Sequence, residues 1–327
     1  MKGFIAVDGG GSKTELVLVD ILGNIFARKI VNCSNPNDVG MEHSFSILSS
    51  SIKELMKISK THNLELAHIL LAIAGIEFGD SRKILKDKLR ESLSFENISV
   101  EGDLASVKEV ALGNKSDGVV VISGTGFNMA VKKNNEFSHV GGWGYLPDDY
   151  FCGFDLGKDA LIASSRAINK VGDDTILVSL LEEHYGNALW YSMAQIYNEG
   201  IKGVASLSRL VIEAYNKEDK VAKNIINGRL KNLAKVIMDK TSEINDVEVY
   251  LFGGIFENNE FIVKLLNEYL TEKFKLKITS KRTIYGAVSL GIKNVLSEVN
   301  SSFYSNFDKN YTSRRKWRCI YIHIIYR

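Results

Sequence analysis

The residues with the clearest chemical potential lie near the N-terminus, in Asp8 and the glycine-rich run that follows it (Asp-Gly-Gly-Gly-Ser-Lys-Thr, residues 8–14). Glycine leaves the backbone uncovered, so the N–H groups of this run can approach an anion such as phosphate closely. A carboxylate at the end of the preceding strand suits a phosphate-bound Mg²⁺ that it contacts through water. The run leads into a strand rather than a helix, so it is not a Walker A loop. Taken alone, an ordinary glycine hairpin explains it equally well.

A second glycine turn of the same kind follows about 115 residues later. The apolar run at residues 118–122 leads into Ser-Gly-Thr-Gly at residues 123–126, and residues 127–132 return as a strand. This repetition predicts a duplicated α/β architecture. Two such turns facing each other across a cleft would grip a polyphosphate from both sides, which one hairpin turn could not do.

Two further polar positions have both a structural and a functional interpretation. Asp103 follows a short strand at residues 98–100 and precedes a helical pattern beginning near Leu104, where helix capping by Asp103 is a sufficient explanation. The polar loop at residues 32–40 reads as a solvated connector, although its Asn35 or Asp38 could bind the hydroxyl groups of a ligand.

The elements that position these residues follow from hydrophobic patterning. Short β-branched runs at residues 4–7 and 16–19 predict strands, and a Pro-free region at residues 156–242 predicts several helices. The predicted division is a first domain, a second domain with a helical insertion and a peripheral tail, at residues 1–117 (completed by a helix at 286–299), 118–285 and 300–327. A partner-binding arm is the alternative for the tail, which is aromatic and basic.

Bulk composition excludes several classes of protein. The chain has 327 residues, of which 45% are hydrophobic, so it can form two domains with cores. With 41 basic and 39 acidic residues, nothing indicates a nucleic-acid or membrane partner. The cysteines (Cys33, Cys152 and Cys319) are isolated, which argues against a zinc site or disulfide framework. Without a signal-peptide pattern or membrane-spanning run, the expected location is cytoplasmic.

Several motifs occur in an order that resembles a known family. They are residues 8–14, Gly102-Asp103, residues 123–126, Gly-Gly-Trp-Gly at 141–144, Gly-Gly-Ile-Phe at 253–256 and residues 285–291. Together they resemble the N-acetylglucosamine kinase and 2-hydroxyacyl-CoA-dehydratase-activator ATPase group, within the actin, hexokinase and heat-shock chaperone superfamily. The resemblance extends from about residue 3 to residue 295.

The resemblance implies two ribonuclease-H-like domains with a catalytic cleft between them, ATP and Mg²⁺ as cofactors, and a homodimer. It implies Asp103 as the catalytic base, Asp8 as the residue that contacts the metal through water, and Asn35, Gly142 and Asp149 as substrate residues. The implied ATP-binding residues are Asp8, Gly10, Gly11, Ser12, Lys13, Thr14, Ser123, Gly124, Thr125, Gly126, Gly253 and Gly254.

The expected function is an ATP-dependent sugar kinase acting on an amino sugar or hexose, with N-acetylglucosamine or glucosamine favoured. Phosphoryl transfer needs positioning, charge neutralisation and a carboxylate near the acceptor hydroxyl. The alternatives are an ATPase that activates a partner enzyme and a non-catalytic ATP- or sugar-sensing protein.

The chain departs from the kinase pattern after Gly144. The Gly-Asp-Glu-Gly-Ser-type run of such kinases retains its Asp as Asp149, whereas Tyr150, Phe151 and Cys152 replace the following residues. A small Ser is also usual at the position of Phe127. Because the segment helps to form the sugar pocket in that family, these changes leave the identity of the substrate open.

Overall fold

The computed structural model describes residues 1–11, 13–113, 115–148, 150–279, 282–296, 299 and 301–312. The chain divides into two compact units. Unit 1 contains residues 1–113 and the described residues from 282 onward, and unit 2 contains residues 115–279. The sequence predicts these boundaries at 117/118 and 285/286.

Each unit is built on a five-stranded mixed sheet. The strands of unit 1 are β1 (Lys2–Gly9), β2 (Lys13–Asp20), β3 (Ile25–Asn32), β4 (Glu65–Ile73) and β5 (Ile98–Gly102). Those of unit 2 are β6 (Gly118–Ser123), β7 (Phe127–Lys133), β8 (Glu136–Gly141), β9 (Val247–Phe252) and β10 (Phe274–Ile278).

The two sheets have the same topology. In unit 1 the order is β3-β2-β1-β4-β5, and in unit 2 it is β8-β7-β6-β9-β10. In both, the first three strands form an antiparallel meander, the fourth strand pairs in parallel with the first, and the fifth pairs in parallel with the fourth. The predicted α/β class with duplicated architecture is confirmed.

The helices of unit 1 are α1 (Pro36–Val39), α2 (Met41–Thr61), α3 (Ser81–Leu93), α4 (Asp103–Leu112), α12 (Thr283–Leu296) and α13 (Ser301–Thr312). The helices of unit 2 are α5 (Gly153–Ile168), α6 (Leu177–Tyr185), α7 (Leu189–Ser206), α8 (Ser208–Asn216), α9 (Lys220–Lys240), α10 (Gly254–Glu257) and α11 (Glu260–Tyr269). Helix α7 is kinked at Gly200, whose φ of 63° is not helical.

Strand β1 is buried on both faces, which explains its nearly continuous apolar sequence. Ile5 and Val7 pack in the cluster on one side of the sheet, and Phe4 and Ala6 pack in the cluster on the other side. The second cluster includes Val288 and other residues of α12, so this late helix completes unit 1. Burial from both sides fixes the end of β1, where Asp8 lies.

The structure differs from the sequence prediction for residues 301–312, which belong to the segment expected to be a peripheral tail. They form α13, and its Phe303 and Phe307 are buried in the same cluster as Phe4. Phe303, Phe307 and Tyr311 recur every fourth residue, a helical spacing that presents one apolar stripe to the sheet. The predictions for residues 300 and 313–327 lie outside the described residues.

Among the described residues, no helix is both long enough and apolar enough to span a bilayer.

Candidate active site

Asp8 lies at the end of β1, where burial, a hydrogen-bond donor and other acidic residues act on its carboxylate. It is directly opposite Glu15 in the β1–β2 ladder, and the Thr283 hydroxyl donates a hydrogen bond to its Oδ2. Burial raises the pKa of Asp8 to about 7; the Thr283 hydrogen bond opposes this rise, whereas the negative charges of Asp103 and Glu15 add to it. Asp8 is therefore a carboxylate whose surroundings favour a cation beside it.

Asp103 is the first residue of α4, and its Oδ1 accepts a hydrogen bond of 2.9 Å from the backbone N–H of Leu104. The N-cap is Gly102, so the expectation that Asp103 caps the helix is wrong by one residue. The chain turns into the helix at Gly102 itself, which leaves the aspartate inside the first turn. Burial raises the pKa of Asp103 to about 6, and the nearby Glu77 adds to the rise.

The parallel pairing of three strands brings these carboxylates together. Gly9 of β1 is paired with Ile73 of β4, which is paired with Gly102 of β5, so three strands end at the same edge of the sheet. Ligand sites in open α/β sheets lie at such carboxyl ends. The sheet of unit 1 thus places Asp8 and Asp103 close enough for their charges to interact.

The first glycine turn is tight and open on its outer side. The Gly10 N–H donates to the Lys13 carbonyl at 3.0 Å, and a methyl group placed on Gly11 would meet no atom within 4 Å. Lys13 is exposed, whereas the Thr14 side chain is buried and its hydroxyl donates to Ser34 Oγ at 2.7 Å. The Thr14 hydroxyl is therefore already hydrogen-bonded within the protein, and only its backbone could contact a ligand. Ser12, also predicted to bind ATP, lies outside the described residues.

Asn35 is placed by a short helix that the sequence did not predict. It is the N-cap of α1, and its Oδ1 accepts a hydrogen bond of 3.0 Å from the Asn37 N–H. Gly75, two residues beyond the end of β4, lies against this amide: a Cβ there would be 2.1 Å from Asn35 Oδ1. The Asn35 Nδ2 makes no hydrogen bond to any other described residue and stays available to an acceptor.

The second glycine turn is equally open but uncharged. The Gly124 N–H donates to the Gly126 carbonyl at 3.1 Å, and a methyl group on either glycine would meet no atom within 4 Å. Thr125 is exposed. Ser123 is fully buried, and its hydroxyl donates to the Phe151 carbonyl at 2.6 Å. The backbone of residues 124–126 and Thr125 are therefore the groups that this turn presents.

The other glycine pair lies directly beside this turn. Gly253 has φ of 98°, and a Cβ at this position would be 2.2 Å from the Ser123 carbonyl oxygen. Only glycine allows the β9–α10 connection to pass so close to the end of β6. Gly254 is the first residue of α10. The structure thus brings Gly253 and Gly254 next to Ser123, within unit 2.

The segment after β8 contains the remaining predicted substrate residues. Gly142 has φ of 78°, and a Cβ there would lie 3.1 Å from the Asn128 side chain. The Asp148 carboxylate accepts a hydrogen bond of 2.9 Å from the Trp143 N–H and so holds this loop. Asp149 lies outside the described residues.

Tyr150, which departs from the kinase pattern in this segment, packs against Phe127 of β7. Phe127 and Tyr150 stack with ring centroids 4.6 Å apart, so two of the four departures from the kinase pattern contact each other. Arg229 of α9 donates to the Tyr150 carbonyl at 2.9 Å and is paired with Asp159 at 2.7 Å. Burial raises the pKa of the Cys152 thiol to about 12, so it is not a reactive thiolate.

Sequence reasoning missed three residues that contact or surround the carboxylates. Thr283 binds Asp8, Glu15 lies opposite Asp8, and Glu77 lies against Gly102, where a Cβ would be 2.1 Å from its Oε1. Glu15 was detectable, because a hairpin after Asp8 places it across from that residue. Thr283 and Glu77 become neighbours only through the tertiary fold, which no local spacing reveals.

Comparison with known proteins identifies the family. The family model of the BadF/BadG/BcrA/BcrD ATPases matches residues 5–289. The chain belongs to this ATPase family. It is 30% identical over 308 residues to the N-acetylmuramic acid/N-acetylglucosamine kinase of Clostridium acetobutylicum, with 88% of this chain and 97% of the relative covered. It is 31% identical over 189 residues to the N-acetyl-D-glucosamine kinase of Dictyostelium discoideum, with 55% and 59% covered.

A solved structure described as a candidate N-acetylglucosamine kinase, from Chromobacterium violaceum, has the same fold. Its TM-score is 0.68 at 20% identity, with 88% of this chain and 98% of that chain covered. The ATPase family match contains both glycine turns, Asp103 and the α12 residues up to 289. Helix α13 lies outside it.

Proposed function

We propose that this protein is an ATP-dependent kinase that transfers the γ-phosphate of ATP to a hydroxyl group of an amino sugar or hexose, with N-acetylglucosamine or glucosamine favoured. Relatives named as N-acetylglucosamine kinases support this acceptor class. The ATPase family supports the use of ATP.

The observation that carries the proposal is the position of Asp103. Its carboxyl group is fixed at the start of α4 by the Leu104 N–H, beside the end of β1 and Asp8. Its pKa of about 6 lies close to neutrality. A base with such a pKa is largely ionised at pH 7 and still basic enough to accept the proton of an acceptor hydroxyl during transfer. Asp103 is therefore the proposed catalytic base.

The surroundings of Asp8 fit Mg²⁺. Asp103 and Glu15 both raise the pKa of Asp8 through their charge, and a divalent cation would offset this repulsion. Within the described residues there is no group of three or more His, Cys, Asp or Glu side chains that could hold a metal directly. Mg²⁺ usually keeps several waters and few protein ligands. Asp8 would thus contact the ion through water, and the bound ion would neutralise phosphate charge.

The glycine turns fit phosphate groups. Methyl groups on Gly11, Gly124 and Gly126 would meet no protein atom within 4 Å, so the turn backbones are accessible to a ligand. We assign phosphate binding to the backbone N–H groups of both turns, with Lys13 and Thr125 as exposed side chains beside them. Gly253 and Gly254 would pass beside the adenosine, and Asn35 and Gly142 would contact the sugar.

A coupled assay of ADP release over a panel of sugars tests the function. The panel contains N-acetylglucosamine, glucosamine, N-acetylmuramic acid and glucose, with a sugar-free reaction as the baseline. Stimulation by at least one amino sugar or hexose is expected. If ATP binds and none of the sugars raises turnover, the kinase proposal is wrong.

The ATPase family match also favours a second candidate, an ATPase that activates a partner enzyme by electron transfer. That function calls for an iron–sulfur cluster bound by cysteines. Cys33 and Cys152 are both buried and belong to different units. An iron–sulfur absorption band in the protein as purified would support this candidate, and sugar-stimulated turnover without such a band would exclude it.

We also propose an oligomeric state and a cellular location for this protein. The family resemblance supports a homodimer, which light scattering of the purified protein would test. The use of ATP supports a cytoplasmic location, which fractionation of the source cells would test.

A further inference from the structure

Helix α13 lies beyond the region that matches the ATPase family, yet it is closely docked on unit 1. Phe303 and Phe307 are buried under the sheet, and the Asn306 amide donates to the Leu22 carbonyl at 2.9 Å. A Cβ on Gly23 would be only 2.4 Å from the Phe303 carbonyl oxygen, so the β2–β3 turn touches the helix backbone. This docking fixes the position of the last turn of α13.

The last turn of α13 carries Tyr311, which stacks on Phe307 and also contacts charged residues near the carboxylates of the candidate site. Its hydroxyl donates to Glu15 Oε1 at 2.6 Å, and Arg28 Nε donates to the same oxygen at 2.6 Å. The guanidinium groups of Arg28 and Arg282 lie 4.4 Å and 5.3 Å from the centre of the Tyr311 ring. One side chain from outside the family match thus contacts three charged residues.

Two of those three residues, Glu15 and Arg282, are connected to the surroundings of Asp8. Glu15 lies directly opposite Asp8 in the β1–β2 ladder. Arg282 precedes Thr283, whose hydroxyl donates to Asp8 Oδ2. Tyr311 therefore contacts both the residue opposite Asp8 and the residue that precedes the Thr283 donor.

The hydroxyl of Tyr311 has a clear electrostatic role. Like charges directly opposite each other in a ladder repel, and Glu15 is 5% exposed, so its charge depends on protein donors. The Tyr311 hydroxyl and the Arg28 guanidinium hold that charge on the side of Oε1. Without the hydroxyl, Glu15 Oε1 loses one of two donors and keeps Arg28, so the Glu15 charge is less well compensated and repels Asp8 more strongly.

We propose that Tyr311 is a positioning residue for Asp8: it holds Glu15 and Arg282 so that the Asp8 carboxylate is free to face the water shell of nucleotide-bound Mg²⁺. This inference rests on the proposed use of MgATP. It makes α13 part of the nucleotide site of this chain, although the helix lies outside the family match.

The test compares Tyr311→Phe with Tyr304→Phe. The first removes the hydroxyl that contacts Glu15 and keeps the ring beside Arg28 and Arg282, so we expect the fold to be retained. The second removes a hydroxyl from the same helix, where it lies 3.0 Å from Ser289 Oγ, away from Asp8. Binding of ADP is measured by calorimetry with Mg²⁺ and with EDTA, beside thermal unfolding and the KM values for MgATP and sugar.

Tyr311→Phe is expected to weaken MgADP binding and to raise the KM for MgATP by about three- to tenfold, a loss of binding shared by ground and transition states. Metal-free ADP binding, kcat and the sugar KM should stay within about twofold of wild type. Tyr304→Phe should change none of these while lowering the unfolding temperature to a similar extent.

The inference is overturned if both variants behave alike, or if Tyr311→Phe weakens ADP binding equally with and without Mg²⁺. Its failure can be told from failure of the proposed function. If wild type binds MgADP but phosphorylates no sugar, the calorimetric comparison still decides the role of Tyr311. If wild type is an active kinase and the variants do not differ, only the inference fails.

Discussion

The two glycine turns have the same strand pairing and opposite chemical surroundings. In both, one glycine N–H closes the turn on a carbonyl, and the outer side is free of protein atoms. Beside the first turn, burial raises the pKa of Asp8, and the negative charges of Asp103 and Glu15 add to this rise. At the second turn, the Ser123 hydroxyl donates its hydrogen bond to the Phe151 carbonyl, and Phe127 stacks on Tyr150.

The difference shows how a duplicated fold acquires two roles. Backbone geometry, which the strand order specifies, is shared by both units. Charge depends on individual side chains, and unit 1 supplies the half-buried carboxylates of Asp8 and Asp103 beside its turn. We therefore expect acid–base and metal chemistry to depend on unit 1, whereas unit 2 contributes phosphate contacts and shape.

The largest effect is expected for Asp103→Asn. Loss of the base should lower kcat by about 10³-fold while ADP binding stays near wild type, because general-base catalysis contributes on this order. Asp80→Asn, at the exposed N-cap of α3 where no side-chain cap bond is made, is the matched control and should retain full turnover. Measured kcat values for both variants decide the matter. If both variants lose kcat to a comparable extent, or if Asp103→Asn loses none, Asp103 is not the catalytic base.

Glycine substitutions separate close packing from open phosphate contact. Gly253→Ala should destabilise unit 2 by about 3 kcal/mol, because the methyl group meets the Ser123 carbonyl and the backbone has positive φ. Gly11→Ala and Gly124→Ala should change stability by less than about 0.5 kcal/mol. Both should nevertheless raise the KM for MgATP, if both turns bind phosphate. Chemical denaturation and kinetics provide the measurements; an unchanged KM in one turn variant would limit phosphate binding to the other turn.

Asp8→Asn is expected to change both turnover and the pH dependence of the free energy of unfolding. The pKa of Asp8 is raised to about 7 in the folded protein, so its stabilising contribution is present in acid and is lost as pH rises through about 7. The neutral amide avoids this loss. We expect the variant to be more stable than wild type at pH 8, by on the order of 2 kcal/mol, and the gain to shrink toward pH 5. Its turnover should fall sharply. A stability difference that does not vary with pH would contradict the assignment of the raised pKa.

The smallest effect concerns the aromatic contact at the second turn. A double-mutant cycle of Phe127→Ala and Tyr150→Ala should give a coupling energy of about 1 kcal/mol, as expected for stacked rings. Each single variant should alter the sugar KM more than the kcat. Additive stability changes would show that Phe127 and Tyr150 contribute to stability independently.

Much of the fold could be predicted because its signals are local. The apolar run before Asp8 and the glycines after it specify strand and turn, and the same pattern at residues 118–126 reveals the duplication. The helical spacing of Phe303, Phe307 and Tyr311 was also present in the sequence, but the aromatic and basic composition around it suggested a peripheral tail. The packing of α13 against Phe4 depends on tertiary contacts that a single sequence does not contain.

The site was predicted less completely than the fold. Asp8 could be found from the glycine-rich run that follows it, and Asp103 from its place after a short strand together with the family resemblance. The burial of the Thr14 and Ser123 hydroxyls could not, since their partners Ser34 and the Phe151 carbonyl are distant in sequence. The same holds for Thr283, which reaches Asp8 from the far end of the chain. Residue type indicates possible chemistry, and tertiary partners decide which atoms remain available.

The most direct test of the central claim is transfer of labelled γ-phosphate from ATP to N-acetylglucosamine or another sugar of the panel, followed with wild type and Asp103→Asn. We predict that wild type forms a labelled sugar phosphate much faster than it hydrolyses ATP without sugar, and that Asp103→Asn forms almost none while still binding MgADP. Equal release of inorganic phosphate with and without every sugar, or labelled sugar phosphate formed at the wild-type rate by Asp103→Asn, would contradict the account.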